Sequence, residues 1–398
     1  MKTRAGAMVS IGAALLVALS AVSVGTPAQE SQGVTDKEIL IGSCSALTGP
    51  SNFLGTQTIT GANAYFKMIN EAGGVYGRQL RLVGYDDSYD PDKTGPCFEH
   101  LMRDKVFALG FFVGTPTAVK YMPMLENEKI PVVGLFTGAK TLYDPVRHYV
   151  LAVRASYADE TREQMTALWN ELHYRRIGVI HTNDAFGATV LEGVQSALKT
   201  LGSEPVAVAS YPRQTAEVEQ AMATVRSANP EAVVLVGPYN TLAAIVKKAH
   251  AQNWRPLFLT VSFVGTDEFI AEAGADAEGV VVTQVVPPYY LTDLHTVALY
   301  RRVLQKYYPN EKPNFVSLEG FVDALVLVEG LKRAGKNPTR EGLIRGIESI
   351  HEFDAGLGPS LRLNYSARDH KGFSHVIPTV VRSGRAVPIT DWNDAVAK

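Results

Sequence analysis

Thr115 and Thr137 carry the strongest chemical signal in this sequence. Each stands in a strand-to-helix turn, Val113-Gly114-Thr115-Pro116 and Phe136-Thr137-Gly138-Ala139, with little more than one helix between the two. Small hydroxyl side chains beside unpaired backbone N–H groups make a pocket for a small anion, a carboxylate or a phosphate, at the positive end of a helix. In the first turn the apolar run 106–113 reads as a buried parallel strand. Thr115 then falls at the N-cap and Pro116 at the first helical position, where a missing N–H costs nothing, and a helix is expected over 116–127. The simpler alternative is that Thr115 only caps its helix.

Catalytic patterns are absent. There is no G-x-x-x-x-G-K-[ST] loop, no G-x-G-x-x-G after the first strand, no G-x-S-x-G elbow and no H-E-x-x-H. The nine histidines show no ligand spacing. His181 ends a strand, where a lone histidine is more often a hydrogen-bonded structural residue. Asp86 and Asp87 invite a general-acid role, but no partner is identifiable and loop acids after a parallel strand are commonly solvated. Neither an enzyme nor a cofactor is expected.

A chain of 398 residues with 46% hydrophobic content is long enough for two domains. Lys plus Arg number 38 against 40 for Asp plus Glu, evenly mixed, so nucleic acid and anionic membrane are not expected partners. Lys2 and Arg4 precede an apolar, small-residue run over 8–24, and Thr26-Pro27-Ala28 follows. This is the pattern of an export signal over 1–28, cut near Ala28. The strongest apolar part, 11–19, is short of the roughly 20 residues a membrane span needs. Export permits a disulfide between Cys44 and Cys97, the only cysteines. A sheet of order 2-1-3 brings the helix carrying Cys97 across strand 1, which carries Cys44, and two buried free thiols are the alternative.

Stepping along the chain, strands are expected at 38–43, 80–86, 106–113, 131–135, 176–181, 205–211, 232–237, 256–261 and 279–285. Helices fall between them at 61–71, 161–172, 189–201 and 241–252. In the last, Leu242, Ile245, Val246 and Ala249 follow the i, i+3, i+4, i+7 rule. This βαβα alternation means parallel sheets with helices on both faces. Breaks near 153–159 and at Val285-Val286-Pro287-Pro288, the latter followed by long helical stretches at 296–307 and 318–334, divide the chain into two similar halves with more than one crossover.

The order of several short motifs resembles the periplasmic leucine/isoleucine/valine-binding family of ABC-transporter solute receptors. These are Leu47-Thr48-Gly49-Pro50, Tyr85-Asp86-Asp87 with Asp90-Pro91, Asp184-Ala185-Phe186-Gly187, Gly237-Pro238-Tyr239 and Glu278-Gly279-Val280-Val281-Val282-Thr283. The resemblance covers nearly the whole mature chain. It implies an α/β protein of two Rossmann-like lobes with parallel sheets joined by a three-crossover hinge, the type I periplasmic binding fold. Lobe 1 is then expected at 36–154 plus 286–354, and lobe 2 at 155–285 plus 355–398. The implied partners are a small carboxylate ligand and the membrane permease of an ABC transporter, for a monomer in the periplasm. An exported sensor acting through a separate signalling partner is the alternative use of the same fold.

Carried over by position, the family's carboxylate clamp falls on Thr115, through hydroxyl and N–H, and on backbone groups around Phe136 and Gly138, with Thr137 adjacent. Tyr239 and Phe186 would face the ligand from lobe 2, and Phe53 would line the mouth from lobe 1. One departure stands out. Where amino-acid-binding members place a carboxylate against the ligand ammonium, this sequence has Ser262. Either Asp184 or Asp267 serves instead, or the ligand has no amino group, since a buried ammonium without a counter-charge is costly. Asp184 also has an ordinary reading as a helix N-cap.

Overall fold

The runs Ala108–Val113 and Val132–Phe136 are buried at every residue, as strands covered by helices on both faces require. In a computed structural model they form the centre of the first sheet. The structure describes residues 1–3 and 31–396, so the body of the expected export signal and its cut near Ala28 lie outside the described residues.

The first lobe runs β1 (Glu38–Ser45), α1 (Asn52–Glu71), β2 (Gln79–Asp86), α2 (Pro91–Arg103), β3 (Ala108–Val113), α3 (Thr115–Glu128), β4 (Val132–Phe136) and β5 (Val150–Leu151). Its sheet has the order β2-β1-β3-β4-β5, all parallel. The second continues with α4 (Tyr157–Asn170), β6 (Ile177–Thr182), α5 (Ala185–Thr200), β7 (Ala207–Tyr211), α6 (Glu219–Ser227), β8 (Ala232–Val236), α7 (Tyr239–Ala251), β9 (Leu257–Val261), α8 (Thr266–Ala273) and β10 (Val281–Gln284). Strands β7-β6-β8-β9-β10 repeat the order of the first lobe in parallel.

The chain then returns to the first lobe through α9 (His295–Tyr307), α10 (Phe315–Ala334), α11 (Arg340–Glu348) and a small ladder of β11 (Phe353–Asp354) with β12 (Arg362–Leu363). It ends in the second lobe with the antiparallel edge strands β13 (Ile377–Arg382) and β14 (Arg385–Pro388), then α12 (Trp392–Val396). Tyr365 N–H donates to Ile350 O at 2.8 Å, and Gly372 and Phe373 N–H donate to Ala152 and Val153 O at 2.9 and 2.8 Å. These bonds tie Tyr365 to the end of the α11 segment and residues 372–373 to the strand-like stretch at 152–153.

Helix α1 starts nine residues before the expected 61, because glycines that weaken it as an isolated helix serve its packing. At Gly61 a Cβ would meet Ser317 O at 1.8 Å, and at Gly320 one would meet Thr58 O at 2.2 Å. The backbones of α1 and α10 therefore cross in direct contact. Cys44 of β1 and Cys97 of α2 are joined in a disulfide, the first of the two alternatives left open by the sequence. No helix among the described residues is long and apolar enough to cross a membrane.

Candidate functional site

The carboxyl ends of both sheets face each other, where ligands of open α/β sheets bind. At the end of β3, Gly114 has φ 97° and is itself the N-cap of α3. Thr115 is thus the first helical residue and Pro116 the second, a one-position correction to the expected N-cap. The Thr115 hydroxyl makes no capping bond and lies 2.8 Å from that of Thr137, both threonines being buried. The twin turns are therefore brought together. Some of the backbone groups assigned to a ligand are already bonded: Thr137 N–H donates to Leu135 O at 2.7 Å, and Phe136 O accepts from Gly114 N–H at 3.1 Å. At position N1, Thr115 N–H has no intrahelical acceptor.

Apolar surface surrounds these groups. The ring of Phe263 lies 5.6 Å from Phe136, 5.7 Å from Tyr89 and 4.4 Å from Phe186, centroid to centroid, and Phe186 lies 5.2 Å from Tyr157. Phe136 and Tyr89 belong to lobe 1, Phe186 and Phe263 to lobe 2. Phe53 and Tyr239 also meet across the cleft, edge to face at 6.0 Å, with Phe53 N–H donating to the Tyr239 hydroxyl at 3.4 Å. Of the aromatic residues expected here, Phe53, Phe136, Phe186 and Tyr239 all line the junction of the lobes. Tyr89, Tyr157 and Phe263 were not foreseen.

Ser262 lies at the end of β9, and behind it stands an acid the sequence reading missed. Glu160 Oε2 accepts from Ser262 N–H at 2.8 Å and from the Thr283 hydroxyl at 2.7 Å, and its Oε1 accepts from the Ser262 hydroxyl at 2.9 Å. Arg154 of the hinge binds the same Oε1 at 3.0 Å, donates to the Ser262 hydroxyl, and reaches across to Glu319 of α10 at 3.1 Å. Its guanidinium lies 5.4 Å from the ring centre of Phe136 and 5.5 Å from that of Tyr157. Burial works against its charge, but Glu319 and Glu160 hold it protonated. Burial lifts the Glu319 carboxyl to about 7 against the pull of Arg154. One turn further along α10, burial and then Glu319 raise Asp323 well above the usual carboxylate range.

The two other acids considered for an ammonium are also engaged. Asp184 caps α5, accepting from Gly187 N–H at 3.0 Å, and pairs with Arg213 at 3.1 Å. Asp267 accepts from Tyr289 O–H at 2.8 Å and from Phe315 N–H at 2.9 Å, bracing the hinge to the start of α10, and burial raises its pKa to about 6. His181 has a backbone neighbour, Thr182 O, at 2.9 Å from Nδ1. Asp86 ties two loops together, accepting from Leu47, Thr48 and Ser88 N–H at 2.9, 3.1 and 2.8 Å. Asp87 accepts from Tyr89 N–H at 2.9 Å and from Thr94 O–H at 3.1 Å. Each of these acids is thus bonded within the protein.

Two lobes of like topology that meet over polar turns at their strand ends are the architecture of the type I periplasmic binding fold. The chain belongs to the periplasmic binding protein family, whose sequence profile matches residues 38–385. It is 25% identical over 251 residues to the Leu/Ile/Val-binding protein of Citrobacter freundii, an alignment spanning 62% of this chain and 68% of that one. The solved structure of a possible leucine/isoleucine/valine-binding protein from Rhodopirellula baltica SH 1 superposes with a TM-score of 0.86 at 31% identity, covering 94% of this chain and all of that one. A fatty acid ABC transporter substrate-binding protein from Thermomonospora curvata shares the fold, with a TM-score of 0.82 at 23% identity over 92% of this chain and 94% of that one.

Proposed function

We propose that this protein is the periplasmic receptor of an ABC importer and that its ligand is a small carboxylate with an apolar or aromatic body and no amino group. The observation that carries the reading is the state of the acids. Glu160, Asp184 and Asp267 each have both carboxylate oxygens bonded within the protein. A ligand ammonium would have to share the charge of Glu160 with Arg154 or that of Asp184 with Arg213, while Asp267 is turned to Tyr289 and Phe315, and burying an ammonium so poorly compensated costs several kcal/mol. The relatives named for leucine, isoleucine and valine support the receptor role, and the fold shared with a fatty acid receptor is compatible with an amine-free acid.

Lobe 1 offers the Thr115–Thr137 pair to the carboxylate, while Phe136, Phe186 and Phe263 enclose the apolar body. Contacts across the cleft, such as Lys140 with Glu192 at 3.6 Å and Phe53 with Tyr239, hold the closed arrangement. The ligand shifts the population toward it by the contacts it makes with both lobes at once. The closed receptor then hands its ligand to the permease.

The two threonines act as a unit, since either can donate to the other. The isosteric double variant Thr115→Val with Thr137→Val removes the outward donor, a charge-assisted bond of about 1.5–3 kcal/mol. Calorimetry should show about 10- to 100-fold weaker binding of isocaproate or hydrocinnamate, the amine-free counterparts of leucine and phenylalanine. Unchanged affinity would remove the turns from the site.

A further inference from the structure

Each of the twin turns has a tyrosine seated on its glycine. Tyr89, between β2 and α2, lays its ring over Gly114, where a Cβ would stand 1.8 Å from ring atom Cε2 and 2.8 Å from Cζ, the carbon bearing the hydroxyl. Tyr157 opens α4 and donates its N–H to Gly138 O at 2.8 Å, and a Cβ on Gly138 would stand 2.8 Å from that nitrogen. Both side chains are buried, at 2% and 0% exposure. Neither hydroxyl makes a hydrogen bond of good geometry within the protein, although Arg213 stands close to Tyr89 and the Thr137 hydroxyl close to Tyr157. Buried hydroxyls are normally bonded, and two orphans at the ends of two adjacent turns require an explanation.

The anion site supplies one. The hydroxyls of Thr115 and Thr137 bond to each other, so one of their two protons is used within the pair. A carboxylate presents about four lone-pair positions, more than the remaining threonine proton and the Thr115 N–H can fill. Thr117, the next hydroxyl along α3, is turned away onto Gly114 O at 2.9 Å.

We propose that the hydroxyls of Tyr89 and Tyr157 complete the anion site, donating to the ligand carboxylate and setting the preference for an acid over its neutral amide. This assignment rests on the carboxylate reading of the cleft. Asp87 fixes the Tyr89 loop through its N–H. Arg154, at 5.5 Å from the Tyr157 ring centre, polarises that ring toward proton donation. Burial lifts the Tyr89 pKa and Asp184 adds to this, while Arg213, 4.4 Å from the ring centre, acts the other way without cancelling the rise. Burial likewise raises that of Tyr157, while Arg154, the Thr137 hydroxyl and the Gly138 backbone, all near it, act the other way. Both phenols thus remain protonated donors at neutral pH.

The test uses the purified protein and its Tyr89→Phe and Tyr157→Phe variants, with calorimetry on hydrocinnamate, isocaproate and the amide of each. Removing an unpartnered hydroxyl should leave the unliganded protein as stable as before, so both variants are expected to fold. Each should bind the acids about tenfold or more weakly and the amides nearly as before, so that the acid-to-amide ratio falls. Equal loss for acid and amide, or no loss for either, overturns the assignment by showing that the rings only pack. Failure of the wild-type protein to bind any acid overturns the carboxylate reading, and the assignment with it, whereas acid binding that survives both variants overturns the assignment alone.

Discussion

Replacing Arg154 with Met is expected to destabilise the unliganded protein by about 3–5 kcal/mol, because it leaves Glu160 and Glu319 buried without their common partner. Urea unfolding monitored by fluorescence or circular dichroism measures this directly. The loss should depend on pH in one direction. In the folded protein burial lifts Glu319 from the ordinary 4.5 to about 7, so the folded state binds this proton more tightly than the unfolded chain. Stability from such a group is fully present below the unfolded value and is lost as pH rises through the folded one. Without Arg154 the folded value moves higher still, so the deficit should be larger at about pH 8 than at about pH 5. Adding Glu319→Gln should restore part of the stability at the higher pH. A variant as stable as the parent at both would show that the hinge network contributes no net stability.

The second large effect is expected from the disulfide. Cys44 and Cys97 close a loop 53 residues apart in sequence, and both are buried. Replacing both with Ala relaxes that constraint on the unfolded chain and should cost about 4 kcal/mol on the chain-entropy scale. The bond anchors the middle of α2, the helix that follows the loop carrying Tyr89, to β1. Urea midpoints for the parent and the double variant would show the loss, and a reductant should lower the parent's midpoint while leaving the variant's unchanged. Coincident midpoints without reductant would contradict it.

Much of this architecture could be read in advance, for identifiable reasons. Apolar runs bounded by turn residues marked β3, β4, β8 and β9, since strands buried on both faces admit little else. The cap role of Asp184 was equally legible, because an Asp before a small-residue helix start is a local signal. Other signals were present but unused. Ser156 and Asp159 form a capping box that starts α4 at Tyr157, four residues before the expected start, and would have put Tyr157 and Glu160 in its first turn. Ser383-Gly384, both at positive φ between apolar strands, marks the β13–β14 hairpin.

The charged heart of the site was not legible. Arg154 and Glu319 are separated by 165 residues, and Glu160 and Ser262 by 102, so only the assembled fold brings them into contact. A serine in the position of an expected acid could be noticed from the sequence. That a fully engaged glutamate stands behind it could not.

The most direct test of the ligand class is a calorimetric comparison of two matched pairs, leucine against isocaproate and phenylalanine against hydrocinnamate, each differing only in the α-amino group. With Glu160, Asp184 and Asp267 all engaged, the amine-free member of at least one pair should bind more tightly by about 100-fold or more. Leucine or phenylalanine binding as tightly as its amine-free counterpart, or more tightly, would contradict the account.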